Sequence, residues 1–173
     1  MNQSYSVLTT DWGYVVAVWS DRGLWEMSFP RPEVQPAVAQ LSAQGLTAGA
    51  QATLTAALDR DLKLFFAGVA VEFTVPIDWT GYTLFQSAVL QYTAGIAYGQ
   101  VRTYGEVAAA IGSAKAARAV GGALHINRTP IVVPCHRVIG ADGSLTGFGG
   151  GLALKQALLA LEEGKPATPH GWG

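Results

Sequence analysis

Residues 104–124 read YGEVAAAIGSAKAARAVGGAL, and the organisation of the chain turns on them. Tyr104 to Ile111 has the composition of a short helix that Gly112 stops. Ser113 can cap a second helix, predicted over Ala114 to Leu124. Two helices joined by a tight Gly-Ser turn have the layout of a helix-turn-helix. On the second helix Lys115, Arg118, Gly122 and His125 are three or four apart and share a face. Ala116, Val120 and Leu124 make the opposite, core-facing side. One long cation among glycines leaves a face that a nucleic-acid backbone could approach closely. An ordinary surface arginine is the plainer reading of the same residue.

Outward from this pair the character of the chain changes. Toward the N-terminus, Tyr14–Trp19 and Gly23–Phe29 are β-branched and aromatic runs around an Asp21-Arg22-Gly23 turn, which predicts a hairpin. Val34–Leu41 and Leu54–Phe66 read as helices, and Val71–Val75 as a short strand closed by Pro76. Ile77–Gly81 reads as a linker, which sets domains at 1–80 and 81–173. Beyond the linker, Phe85, Val89, Tyr92 and Ile96 mark a helical face. After the helix pair, Ile131–Cys135 reads as a buried strand, Asp142-Gly143 as a turn and Leu152–Glu162 as a last helix. The tail 164–173, with two prolines and three glycines, is expected to be loosely ordered. The fold class is α+β, a small strand-rich part followed by a mostly helical one. The tryptophans are read as core residues.

Half of the 173 residues are hydrophobic, enough for a core, and no apolar stretch approaches the roughly 20 residues that span a bilayer. The first ten residues lack a charged segment followed by an apolar run, so no signal peptide is predicted. A soluble, cytoplasmic protein with no membrane partner is expected. The single cysteine, Cys135, excludes an intramolecular disulfide and a cysteine-based zinc site. His125, His136 and His170 have no metal-ligand spacing, so no metal is predicted. Net charge is −1 but unevenly spread. Residues 1–85 hold four Lys/Arg against eight Asp/Glu, a net −4; residues 86–173 hold seven against four, a net +3. A basic half beside an acidic half suits a directed partner surface, and ordinary surface charge accounts for it equally well.

The chemistry concentrates in Pro134-Cys135-His136-Arg137-Val138. A thiol attacks as thiolate, and a histidine can take its proton. Sequence neighbours do not necessarily bring their side chains together, and a lone cysteine after an apolar run is also what an inert core residue looks like. The wider pattern separates the two readings. Residues 98–106 (YGQVRTYGE), 117–123 (ARAVGGA), 131–138 (IVVPCHRV) and the helix from Gly150-Gly151-Leu152 through Lys155 to Leu159 and Glu162 stand in the order and spacing of one family. Over 98–163 the chain resembles the O6-alkylguanine-DNA alkyltransferases. The N-terminal part matches only in general layout.

The resemblance implies a fold, a reaction and roles. The first part would be RNase-H-like and the second a winged helix-turn-helix domain. Cys135 would take an alkyl group from O6 of guanine in double-stranded DNA, once per molecule, with O4-alkylthymine as the second candidate substrate. His136 would take the thiol proton through a bridging water, and Glu162 would hold the imidazole. Asn127 would bond across the bend before the active-site segment. Tyr104 would help rotate the nucleotide and donate to N3 of the leaving purine. Arg118 would fill the space of a flipped base, with its helix in the minor groove. Thr103, Tyr104, Lys115, Ala117, Gly121, Gly122 and Arg128 would also meet DNA. Pro130, Val138, Phe148, Gly149 and Gly150 would form the alkyl and base pocket. No cofactor is implied, and a monomer is expected; cooperativity on DNA is not legible.

Two positions depart from the family pattern. Phe148 stands where tyrosine is commoner, and the glycine beside it suggests a wall open to bulkier alkyl groups. Arg128 stands where proline usually follows the asparagine, and it would loosen the bend or add a phosphate contact. Three rivals remain. An alkyltransferase-like sensor would bind the lesion without reacting, and such proteins typically carry Trp in place of the cysteine. A cysteine hydrolase would leave the helix pair unexplained, and a plain regulator would not need 134–138.

Overall fold

Strand β2 (Gly13–Ser20) forms where the β-branched and aromatic run predicts it, and it is the centre of the first unit. Val15, Val16, Ala17, Val18 and Trp19 are all at most 1% exposed. Burial on both faces is why this strand reads as a continuous apolar run rather than an alternation. Each such Val side chain contributes roughly 1.5–3 kcal/mol. In this computed structural model, which describes residues 3–42, 45–49 and 51–167, the chain divides into two compact units, Met1–Trp79 and Thr80–Gly173.

The first unit is a four-stranded sheet in the order β3-β2-β1-β4. Strands β1 (Ser4–Thr10), β2 and β3 (Gly23–Met27) are antiparallel, and β4 (Thr47–Ala48) is parallel to β1. Helices α1 (Val34–Ala39) and α2 (Ala52–Phe66) accompany it, and Leu58, Leu62, Phe65 and Phe66 of α2 are buried. Strand β1 escaped the sequence reading because Ser4-Tyr5-Ser6-Val7 is polar and weakly alternating. It is held by register with β2, from Ser4 opposite Trp19 to Thr10 opposite Gly13. The strand predicted over Val71–Val75 is absent. That stretch joins no ladder, and pairing comes later, where Leu24 N donates to Pro76 O (2.8 Å) and Asp78 N to Leu24 O (2.9 Å). Trp12 and Trp19 are core residues; Trp25 and Trp79 are half-buried. Trp172, His170 and most of the predicted loose tail lie outside the described residues.

The second unit contains α3 (Leu84–Ala94), β5 (Arg102–Thr103), α4 (Tyr104–Ala110), α5 (Ala117–His125), a 3₁₀ turn (Cys135–Arg137), β6 (Val138–Ile139) and α6 (Leu152–Glu162). Thr83 with Gln86, and Thr103 with Glu106, form reciprocal capping boxes at α3 and α4. Gly112 (φ 76) takes the left-handed conformation that ends α4. Helix α5 begins at Ala117, three residues later than predicted, and Ser113 does not cap it. Ser113 instead closes a turn in which its carbonyl accepts from Ala116 N at 2.8 Å.

The predicted strand Ile131–Cys135 is also absent. Pro130 and Pro134 have no N–H to give a ladder, and Ile131 adopts φ 74. The segment turns through Val133 N to Thr129 O (2.9 Å) and enters the 3₁₀ turn. No described helix is long and apolar enough to cross a membrane.

Candidate active site

The bend that replaces the predicted strand sets the site. A β-branched residue in the left-handed region costs on the order of 1–3 kcal/mol and persists only where its surroundings over-determine it. Ile131 is 1% exposed and surrounded by core, which supplies that constraint. Asn127 spans the bend from inside. Its Nδ2 donates to Val133 O (2.9 Å) and to Cys135 Sγ (3.2 Å), and its Oδ1 accepts from Thr129 N (3.0 Å). The 3₁₀ turn then places Cys135, His136 and Arg137 in succession, all three buried.

The two residues after the cysteine join a buried polar cluster centred on Glu162, the last residue of α6. Glu162 Oε1 is 2.6 Å from His136 Nε2. Arg137 donates from Nε to both carboxylate oxygens (3.0 and 2.9 Å), from Nη2 to Oε1 (2.9 Å), and from Nη1 to Ile96 O (2.5 Å). Gly99 N completes the set at 2.9 Å, from a residue whose φ of 75 requires glycine. Burial alone would raise the Glu162 carboxyl. The hydrogen bonds and charges of His136 and Arg137 outweigh it and hold the group below its ordinary value. An ionised carboxylate only accepts, so His136 Nε2 carries a proton and the lone pair of the neutral ring is on Nδ1. Burial holds His136 below its ordinary pKa against the pull of Glu162. Arg137 already neutralises that carboxylate, so a second cation there has little to gain. Burial pushes the Cys135 thiol up; the Asn127 amide and the Lys155 charge offset this only in part. The resting group is therefore a thiol beside a neutral imidazole, a nucleophile that needs its proton removed.

Lys155 of α6 is fully buried, and its Nζ donates to Val138 O (2.6 Å) and Thr146 O (3.2 Å). It ties β6 to the loop carrying Gly147, Phe148 and Gly149. That loop, with Tyr104, Gly121, Leu124, His125 and Cys135, lines a cleft of about 20 Å³, room for one water-sized or methyl-sized group. The Tyr104 hydroxyl donates to Thr146 O at 3.3 Å. Pro130, Val138 and Gly150 are not part of this lining. Pro130 pairs with Val133 in the bend, and Val138 pairs with Arg102 of β5.

The residues expected to meet DNA fall into two groups. Lys115, Arg118 and Gly122 are exposed, Ala117 and Gly121 half-exposed, on or just before one face of α5. A Cβ at Gly122 would meet nothing within 4 Å, and one at Gly121 would lie 3.8 Å from the Tyr104 ring. Thr103 and Arg128 are differently placed. The Thr103 hydroxyl accepts from Glu106 N as the α4 cap. Arg128 is half-buried, its guanidinium 4.2 Å from the Tyr82 ring centroid. Sequence reasoning gave no role to Arg137, Lys155 or Gly99. One signal was there for Lys155: it shares a helical stripe with Leu158 and Glu162, where a lysine is out of place on an apolar face. Among the described residues no group of three or more His, Cys, Asp or Glu could hold a metal ion.

A single buried cysteine followed by a histidine that pairs with a glutamate, in the same unit as a short helix of small residues, is the arrangement of a helical domain centred on one thiol. Residues 84–164 match the family model described as 6-O-methylguanine DNA methyltransferase, DNA binding domain. A methylated-DNA–protein-cysteine methyltransferase of Mycobacterium bovis is 52% identical over 104 residues, 60% of this chain and 62% of that protein. One from Methanosarcina acetivorans is 50% identical over 103 residues, 60% of this chain and 65% of that protein. The aligned stretch thus spans less than two thirds of these relatives. The crystal structure of Mycobacterium tuberculosis OGT in complex with DNA superposes with a TM-score of 0.80 at 36% identity, covering 96% of each chain. The chain belongs to the O6-methylguanine-DNA methyltransferase family.

Proposed function

We infer that this protein repairs alkylated DNA by transferring the alkyl group from O6 of guanine to Cys135. The observation that carries the reading is Cys135 itself, at the floor of a methyl-sized cleft with the His136–Glu162–Arg137 cluster beside it. Cys135 Sγ attacks the alkyl carbon; the S–C bond forms as the C–O6 bond breaks, and the electron pair leaves with the purine. The thiol proton goes to His136, through a bridging water, and Glu162 stabilises the imidazolium that results. The Tyr104 hydroxyl donates to N3 of the departing guanine. The thioether is stable, so each molecule acts once.

DNA binds along the exposed face of α5. Its small residues admit the backbone closely, and Arg118 enters the duplex in place of a base rotated into the cleft. Lys115, Ala117, Gly121 and Gly122 complete that surface, Thr103 meets the duplex from the start of α4, Asn127 orients the thiol, and Pro130, Val138 and Gly150 support the pocket walls. The α4–turn–α5 pair is the helix-turn-helix of a winged domain, and the sheet of the first unit is an RNase-H-like support. At about 20 Å³ the cleft takes a methyl group. Larger groups require Gly147–Gly149 to yield, and O6-benzylguanine tests that.

The decisive experiment is intact and peptide mass spectrometry after incubation with a duplex holding one O6-methylguanine. One methyl on the Cys135 peptide, absent in Cys135→Ala, is the expected result. Tight binding without a mass gain would sink the transfer reading in favour of a non-reacting sensor of the lesion.

A further inference from the structure

Residues 80–82, just before α3, and 126–128, just after α5, are tied together by one arginine and one tyrosine. The Arg128 guanidinium lies on the Tyr82 ring at 4.2 Å, and its Nη2 donates to Thr80 O at 2.7 Å. Arg128 N donates to the Tyr82 hydroxyl at 3.0 Å, and that hydroxyl donates to Ile126 O at 3.5 Å. Both residues flanking Asn127 are therefore fastened to Tyr82. Asn127 in turn gives the hydrogen bond to Cys135 Sγ and the one to Val133 O. The loop beyond it holds Ile131 at φ 74, so this bend stays in place only if something anchors its ends.

We propose that the Arg128–Tyr82 pair is a latch that fixes Asn127, and through it the Cys135 thiol, so that both are positioning residues for alkyl transfer and Arg128 is not a phosphate contact. The proposal rests on the alkyl-transfer reading of Cys135 for its biological meaning, although thiol reactivity reports on it separately. Stacking and a directed donor fork are properties of arginine that lysine lacks. Of the bonds Asn127 makes, the N–H to sulfur contact is the weakest. It is the first lost when residues 126–128 move. The other groups around the thiol are Lys155 of α6, His125 of α5, Tyr104 of α4 and the adjoining His136.

The test compares the wild-type chain with Arg128→Ala, Arg128→Lys and Tyr82→Phe. Three quantities are read: the rate of methyl transfer at saturating O6-methylguanine duplex, the affinity and salt slope on undamaged duplex, and the pH profile of Cys135 alkylation by iodoacetamide. In both Arg128 variants transfer falls about tenfold, duplex affinity stays within twofold, and the midpoint of the iodoacetamide profile moves to higher pH. Tyr82→Phe keeps the stacking surface, melts within a few degrees of wild type and loses about threefold in rate with the same direction of pH shift. Lower affinity with a salt slope reduced by about one, at an unchanged saturated rate, would make Arg128 a phosphate contact and overturn the latch. Unchanged rate and unchanged profile in all three variants would overturn it as well. If wild type takes no methyl from the duplex, the alkyl-transfer reading fails. The iodoacetamide profile then still decides whether the latch acts on the thiol.

Discussion

The floor of the cleft and the outer face of α5 lie in the same unit and are built by opposite means. Around Cys135 the charged groups are buried and held: Glu162 accepts from three residues, and Arg137 and Lys155 each donate to backbone carbonyls. On α5, Arg118 is exposed with no ion-pair partner among the described residues, and Gly122 faces open space. On the proposed function, the difference teaches how two tasks divide. A thiol must be turned into a nucleophile by fixed neighbours, because misplacement by an ångström is costly. A surface that searches DNA of any sequence needs close approach and long-range charge, and it makes no demand for a rigid network.

The largest expected effect removes the floor's centre. Cys135→Ser leaves a folded protein that binds duplex with near wild-type affinity and acquires no methyl by mass spectrometry. Retained transfer would place the chemistry elsewhere.

Glu162→Gln comes next. It leaves Arg137 buried without its counter-ion, a loss of about 3–5 kcal/mol by the usual cost of breaking a buried pair. Transfer should fall about a hundredfold, while affinity for undamaged duplex changes little. Denaturant unfolding and single-turnover kinetics read the two effects. The same cluster sets a pH dependence. His136 is held below its ordinary 6.5, so its contribution is whole above about 6.5 and erodes as pH falls and the unfolded chain takes up the proton first. Glu162 is held below its ordinary 4.5, so its contribution is whole above about 4.5 and is lost as pH falls through the lower folded value. The melting temperature should therefore fall in two stages on acidification, and Glu162→Gln should lose the second stage. An unchanged acid limb in that variant would break the link between carboxylate and stability.

On the other side of the comparison, Arg118→Ala should leave the melting temperature within about 2 °C of wild type and slow transfer from duplex by about tenfold to a hundredfold. Its rate with free O6-methylguanine should be unaffected, and a slowed free-base reaction would mean that α5 also shapes the pocket. The smallest effect is at Gly122. Gly122→Ala adds a Cβ that meets no protein atom and should raise stability by about 0.5–1 kcal/mol through helix propensity. Affinity for duplex should drop a few-fold if DNA lies on that face, and an unchanged affinity would move the contact off α5.

Much of this was legible in local sequence. The β2–β3 hairpin, α3, α4 and α6 follow from periodicity, a helix-stopping glycine and turn chemistry, all properties of a few neighbouring residues, whereas the cap expected of Ser113 did not form. Cys135, His136 and Glu162 were legible because their types and spacing match a family, and the structure brings the last two within 2.6 Å. The misses share a cause. Strand β1 is too polar to announce itself, and only pairing with β2 makes it a strand. The bend at 130–134 is apolar enough to read as a strand, yet two prolines and the constraint on Ile131 turn it into a loop.

By itself the sequence determined the succession of helices, the β2–β3 hairpin, the α+β class and the family resemblance, since these depend on residue type and short-range spacing. Only the tertiary structure decided that Arg137, Lys155 and Gly99 belong with the site, and that Arg128 lies on Tyr82 rather than in solvent. For the three charged residues the physical reason is the same. A charge is expected at the surface unless partners distant in sequence come within hydrogen-bond reach, and no local pattern records where those partners will be.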